Sequence, residues 1–377
     1  MCFVWREGGW HKIDHKNVSK GPIFHQKSLQ WFKHLISFVT KKRLNREKKT
    51  VYLDLKSKHG YSRYLVNLIC FFAMNQYNVI IRFRVKQILT YGHPESLMAE
   101  LENVFMTLRD RKNATIRISD DVNNAVDIQL TRENYHRRLI EANLFHFPYS
   151  MHPLVYLEGH HKEKPDINRS GGGNQTFRLA FAGNLRKDFY NDIHLRGETF
   201  INRLHLITLL KIHFSSELFM PKTSEEYKEG SDKPICIIDR KNFSLPIRDY
   251  FRMQQHSDFM LCPPGMQRPL CHNLIESMYN RSIPLLQYNH YLKPPLENLK
   301  NSIVYKSEQE YLEKIEYILR FSDEFIDDMK RNVEAYYDRF LAPEAVIVNF
   351  EKAVESGVRT ITIPPTDHVF ATFLSKY

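Results

Sequence analysis

Apolar and polar positions alternate along this chain with two periods, and the switches between them mark its elements. The run VYLDL at 51–55 is short, β-branched and apolar, which predicts a buried strand. A polar loop at 56–60, ending in Gly60, leads into an apolar stretch at 62–75 with helical spacing, and VII at 79–81 reads as the next strand. Strand, glycine-bearing loop, helix and strand make a βαβ unit, hence a parallel sheet. A helix is predicted over 94–109 and a short strand at 115–118, whereas 127–156 has no single period and carries the aromatic, histidine-rich loop FHFPYSMHP at 145–153.

The stretch 158–176, EGHHKEKPDINRSGGGNQT, is polar, charged and interrupted by three glycines, the composition of a surface loop or linker. A second alternation follows it: a strand at 177–182, a helix at 198–213, strands at 234–238 and 258–262 around a helix at 246–255, a turn at 263–265, a helix at 270–280, a strand at 283–287 and helices through most of 308–355. At about 150 residues per domain, 377 residues suggest two domains. The expected organisation is an appendage at 1–49, one α/β domain at 50–157, a linker at 158–176, a second α/β domain at 177–345, and a carboxyl-terminal segment at 346–377 that crosses back to the first domain. No short-period repeat is visible, which excludes solenoids and propellers.

Within the appendage, Leu29, Phe32, Leu35, Ile36 and Val39 recur at helical spacing, and Lys41, Lys42 and Arg43 follow. Such a basic amphipathic helix either packs on its own domain or lies on an anionic membrane surface. No stretch reaches the roughly 18 apolar residues of a membrane span, and the first residues lack the apolar core of a signal peptide. The expectation is a cytoplasmic, peripherally membrane-bound protein. A Golgi lumenal location is the alternative if an amino-terminal anchor has been removed.

Composition narrows the function classes. The chain is 42% hydrophobic and 26% charged, which excludes disordered and fibrous classes. Its five cysteines form no CxxC, which argues against a zinc ribbon or a disulfide scaffold. The net charge of +11 favours anionic partners: nucleic acid, anionic lipid or phosphorylated substrates. The basic residues are spread along the chain rather than gathered in a stripe, which disfavours nucleic acid. GxGxxG and GxxxxGK[ST] are both absent, so a dinucleotide oxidoreductase and a P-loop enzyme are not expected.

The most informative stretch is FMLCPPGMQRPLCHNLIE at 259–276. A strand empties into a turn at Gly265, and a helix begins near Pro269, a residue favoured at the first helical position. Free N–H groups and the helix dipole make an anion site there, at the carboxyl edge of a parallel sheet. Arg268 sits at the lip of that site. His272 and Glu276 are four apart and share one helix face, while Leu270, Leu274 and Met278 share another. A glutamate one to two turns into such a helix can accept from both hydroxyls of a ribose. The bland alternative makes Glu276 a partner of Arg268 or another base.

The order of CPPG, LIESMY and IPLL resembles the donor half of exostosin-like glycosyltransferases, and LAFAGN at 179–184 is similar to the strand and turn that open that half. The resemblance covers 177–290. It implies an α/β protein of the GT-B fold, two Rossmann-like domains facing a cleft, that transfers a sugar from a nucleotide-activated donor to a glycan or lipid-linked glycan. The nucleotide sugar is then a co-substrate, and no cofactor or metal is needed. No Asp-x-Asp occurs, and cationic side chains and helix ends take the metal's part in such enzymes. Glu276 would take the ribose and Arg268 or the Gly265 turn backbone the diphosphate, with His272 also among the donor-binding residues. Arg186 and Lys187, just past Gly183 and Asn184, would add catalytic cations, and Asp239 and Arg240 would border the base pocket. A Coulomb pair at about 4 Å is worth roughly 4 kcal/mol at an effective dielectric near 20, so two cations against a leaving diphosphate are a substantial catalytic contribution.

The acceptor should meet the loop after the first strand. His59, with an ordinary pKa near 6.5, and Asp54 at the strand end are candidate bases, and Tyr61 and Arg63 are candidate contacts. His146, Tyr149 and His152 are expected to line the cleft from the aromatic loop. The competing expectations are a non-catalytic GT-B-like protein that binds sugar or nucleotide, and a nucleic-acid-binding protein.

Overall fold

A computed structural model describes residues 3–6, 9–12, 44–55, 63–82, 101–107, 110, 113–121, 126–131, 135, 141, 143–162, 176–186, 192–195, 197–265 and 268–364. The basic segment at 24–43 and the glycine run at 171–173 lie outside the described residues.

In chain order, the first half contains β1 (Phe3–Arg6), β2 (Gly9–Lys12), β3 (Thr50–Asp54), α1 (Arg63–Met74), β4 (Asn78–Arg82), β5 (Val104–Thr107), β6 (Ile116–Ser119), β7 (Ile128–Thr131), β8 (Phe145–His146) and α2 (Pro153–Leu157). The second half opens with β9 (Phe177–Gly183), β10 (Ile193–Leu195), β11 (Glu198–Phe200), α3 (Arg203–His213), β12 (Leu218–Phe219) and α4 (Ser224–Glu229). It continues with β13 (Ile235–Asp239), α5 (Ile247–Gln255), β14 (Ser257–Leu261), α6 (His272–Tyr279), β15 (Ile283–Leu286) and β16 (Ile303–Val304). The chain then forms α7 (Glu308–Arg320), α8 (Asp323–Phe340), α9 (Pro343–Glu355) and β17 (Thr360–Thr362).

The fold is mixed α/β with two parallel, Rossmann-like sheets. One has the order β5-β4-β3-β6-β7-β17-β8 and the other β12-β13-β9-β14-β15-β16. Parallel strands are covered on both faces, so they read as continuous apolar runs. Val51, Tyr52 and Leu53 of β3 are accordingly all fully buried. Helix α1 is buried nearly all round: every residue from Tyr64 to Phe72 is at most 1% exposed. The reason is that α2 and α9 cover the sides that the sheet leaves open.

The chain end completes the first sheet. Ile361 of β17 pairs with Leu130 of β7 on one side and Phe145 of β8 on the other. Helix α9 lies beneath it, with Phe350 edge-on to Phe72 at 5.4 Å and to Phe145 at 5.3 Å. A polar latch fastens the outer side of α9. Lys49 Nζ meets Glu351 Oε1 at 2.6 Å, and the Tyr77 hydroxyl donates to the same oxygen. The second sheet has its own ionic fastening to α8, where Asp258 receives Lys330 at 2.6 Å and Arg178 at 2.9 Å.

Three local expectations differ from the structure. The helix over 94–109 ends in a strand: Val104 and Met106 are buried and alternate with half-buried Phe105 and Thr107, a period of two that an edge strand on β4 uses. The helix over 198–213 begins five residues later. Residues 198–200 form an antiparallel pair with β10, and Asn202 caps α3 by accepting from the His205 N–H. The appendage, for which no strand was expected, contains the antiparallel pair β1–β2, with Trp5 opposite Trp10.

Burial of Glu351 opposes its ionisation, but the hydrogen bonds from Lys49 and Tyr77 outweigh burial and hold the carboxyl below its usual range. A depressed carboxyl stabilises the fold above its unfolded pKa of about 4.3, and the contribution is lost as pH falls through the folded value. Glu351→Gln should therefore lower stability by about 0.5–1.5 kcal/mol at pH 7, read from urea midpoints. The difference from wild type should shrink below about pH 4. An equal difference at pH 3 would mean that charge is not its source.

Candidate functional site

In the second sheet the chain leaves β9 toward β12 and β13 and later builds β14, β15 and β16 on the other side of β9. A reversal of this kind leaves a crevice at the carboxyl ends of the two strands where it occurs, here β9 and β14. Gly183 and Asn184 emerge from β9 at this edge, and the 262–271 turn emerges from β14. Asp239 ends the adjacent β13, opposite Gly183 in the register.

The turn after β14 folds back on itself. Gly265 N–H donates to the carbonyls of Arg268 at 2.9 Å and Pro269 at 3.2 Å. A Cβ on Gly265 would stand 2.9 Å from the Arg268 oxygen and 3.4 Å from the Leu270 oxygen, so glycine is required by close approach. Because the Pro269 carbonyl is engaged by this turn, α6 starts at His272 with Cys271 as its N-cap, later than the expected start near Pro269. The same fold-back buries Arg268, at 4% exposure, where the sequence pattern had placed it at the lip.

A buried arginine ties the two turns together. Arg203, 6% exposed, reaches the Asn184 carbonyl at 3.4 Å and the Pro264 carbonyl at 3.1 Å, with its guanidinium over the Phe181 ring. An arginine in the first turn of α3 opposes the helix dipole, so its sequence position already hints at another use.

Glu276 is 2% exposed on α6. The backbone N–H of His152 donates to its Oε1 at 3.4 Å, and His272 Nε2 stands 3.9 Å from its Oε2. The rings of His152 and His272 meet edge to face at 6.0 Å. Tyr250 of α5 completes the surround: burial first, then the charge of Glu276, pushes its hydroxyl well above the usual range, so it remains a proton donor beside the carboxylate. The segment at 143–162 and helix α6 thus meet at this one carboxylate, with a further bond from the Tyr279 hydroxyl to the His161 carbonyl at 2.9 Å.

Other expected site residues are distributed unequally. The Asn184 side chain accepts from the Arg186 N–H at 2.9 Å, and the Arg186 side chain is exposed. Asp239 accepts from the Lys241 N–H at 2.9 Å, while Arg240 bonds Ser244 Oγ at 3.3 Å and its N–H meets the Gly183 carbonyl at 2.9 Å. Lys187, His59 and Tyr61 lie outside the described residues, as does the side chain of Arg63, the first residue of α1.

Asp54 ends β3 at the reversal point of the first sheet, beside β6. Its carboxylate is 2% exposed and bound to Arg82 at 2.9 Å. Tyr149 is core, with its ring 5.0 Å from Tyr64 and 5.8 Å from Tyr135. His146 stands on β8 opposite Thr362, with its ring 6.0 Å from Tyr135. Of the aromatic-loop residues, His152 is the one brought to Glu276. Among the described residues no three His, Cys, Asp or Glu side chains gather so as to hold a metal ion, and no helix is long and apolar enough to cross a membrane.

No protein-family profile and no curated protein matches the chain. Among solved structures it is similar to HepE of Anabaena in complex with UDP, at 10% identity and a TM-score of 0.44, over 82% of this chain and 100% of that one. It is similar to WaaG, a glycosyltransferase involved in lipopolysaccharide biosynthesis, at 11% identity and a TM-score of 0.36, over 81% and 99%. A glycosyltransferase from Rickettsia africae aligns at 10% identity and a TM-score of 0.41, over 82% and 98%. These likenesses are too loose to carry an argument about chemistry.

Replacing Arg203 by methionine keeps the length of the side chain but removes both tethers between the turns. Arg203→Met should cost about 1–3 kcal/mol, because one buried and one half-buried carbonyl lose a charged donor. Urea unfolding would show it, and an unchanged midpoint would mean that the turns hold themselves.

Proposed function

We propose that the chain is a metal-independent GT-B glycosyltransferase. In this reading a nucleotide sugar binds at the carboxyl edge of the second sheet, and a glycan or lipid-linked glycan hydroxyl is presented from the first. The observation that carries it is the placement of Glu276. A buried carboxylate stands on the first turns of a helix at the reversal point of a parallel sheet, and it touches the other half of the chain through His152. The sequence resemblance assigns this position to the donor ribose. A carboxylate held there accepts from both ribose hydroxyls through charge-assisted bonds. The N-terminus of α6 faces developing negative charge on a leaving diphosphate, and the exposed Arg186 adds a cation.

On the acceptor side we assign the base to His59 rather than Asp54, because the Arg82 guanidinium already occupies the Asp54 carboxylate. The basic segment at 24–43 would hold the enzyme at an anionic membrane where a lipid-linked acceptor resides.

The test is a thermal-shift screen with UDP, GDP, CMP and TDP. A nucleotide at a hundred times its dissociation constant should add about 2.7 kcal/mol of stability, and stabilisation by none of the four would remove the donor reading. Glu276→Gln keeps the acceptor oxygen for the His152 N–H and so preserves the fold. It should raise the dissociation constant of the stabilising nucleotide about tenfold to a hundredfold, since charge-assisted bonds worth about 1.5–3 kcal/mol are weakened. Unchanged affinity would take Glu276 out of the site.

A further inference from the structure

The thiol of Cys271, beside His272, is not used by the chemistry proposed above. Cys271 Sγ lies 3.8 Å from His272 Nδ1. The thiol occupies the N-cap of α6, where the Asn273 backbone N–H faces the sulfur. Cys271 is half-buried, whereas Cys70, Cys236 and Cys262 are at most 1% exposed. Beside it the hydroxyl of Tyr288, wholly buried and without a hydrogen-bond partner, lies in the field of Cys271, Cys262 and Arg203.

We propose that Cys271 is a modification site, a nucleophilic sulfur that takes up hydroperoxides and related soft electrophiles and thereby blocks the edge where Glu276 sits. The blocking half of this statement rests on the donor reading, and the reactivity does not. Burial pushes the Cys271 thiol up, but the His272 imidazole, the Arg203 guanidinium and the Asn273 backbone N–H outweigh it and bring the thiol down to about 6. The Tyr250 and Cys262 groups also face this sulfur, and burial keeps both neutral.

With hydrogen peroxide the thiolate attacks one peroxide oxygen. The S–O bond forms as the O–O bond breaks, and the departing hydroxide takes the proton of the His272 imidazolium and leaves as water. Sulfur is oxidised by two electrons to the sulfenic acid, peroxide is reduced, and the imidazole is left neutral. The new oxygen is an acceptor of the kind that the Tyr288 hydroxyl lacks.

The experiment is iodoacetamide labelling of the whole protein, followed at each cysteine by peptide mass spectrometry. Between pH 6.5 and 8.5 an ordinary thiol, with a pKa of about 8.5, gains about 50-fold in alkylation rate. Cys271 should gain less than about twofold, because it is already mostly thiolate at the lower pH. Comparing one site with itself removes any effect of restricted access. After hydrogen peroxide, dimedone should add to Cys271 and not to a Cys271→Ser protein. A steep pH profile, or no dimedone adduct, overturns the proposal. The nucleotide that stabilises the protein should slow labelling of Cys271, and unchanged labelling at saturating nucleotide overturns the blocking role. If no nucleotide binds, the donor reading and the blocking role fail together, and the pH profile and the dimedone adduct still decide the modification site.

Discussion

A parallel sheet must carry the chain back across one of its faces after every strand, so all the strand-to-helix turns leave from one edge. Both sheets here are wholly parallel, and in each the chain builds one flank and then crosses to the other, between β3 and β6 in the first and between β9 and β14 in the second. Strand order therefore decides where polar backbone and unpaired helix ends accumulate. Asp54 and Ser119 share the reversal point of the first sheet, and Gly183 and the turn before α6 share that of the second. The remaining chemistry is arranged around those two edges.

Among the described residues, two contacts between the halves rest on different physics. At Glu276 the contact is small and polar: one backbone N–H, two imidazoles and a tyrosine hydroxyl around a buried carboxylate. At the chain end it is large and apolar, with β17 inserted between β7 and β8 and α9 laid on α1. Strand β8 has two residues and its sheet partner is β17, so the first sheet cannot be complete until the last part of the chain has arrived.

Charge is handled in two ways. Buried and half-buried acids are met by bases across elements: Asp54 by Arg82 from the next strand, and the half-buried Asp258 by Lys330 and Arg178. Removing one partner of such a pair costs more than the pair contributes, because the other charge is left buried. The buried Arg203 instead spends two of its donors on carbonyls, which shapes the turns without neutralising their charge. With Cys271 close by, this guanidinium contributes to a local field that favours anions at the start of α6.

Much of this was legible in one dimension. The runs at 51–55, 79–81, 177–182, 234–238 and 258–262 declared parallel strands because burial on both faces demands unbroken apolar sequence. Their alternation with helical periods declared a βαβ architecture, and the four-residue spacing of His272 and Glu276 placed both on one helix face. The alternation of β5 spans only four residues at a sheet edge, two buried and two half-buried, too short a period to compete with a helical one. The sequence could not distinguish Tyr149, which became core, from His152, which came to Glu276, since both sit in one aromatic loop. Nor could it announce that Arg203 reaches Pro264, sixty-one positions away. Local pattern determines which face of an element is apolar and where it begins, because those are contests between neighbours in the chain. Which polar groups meet at a site depends on strand order and on the return of the chain end, and these are decided only when distant segments pack.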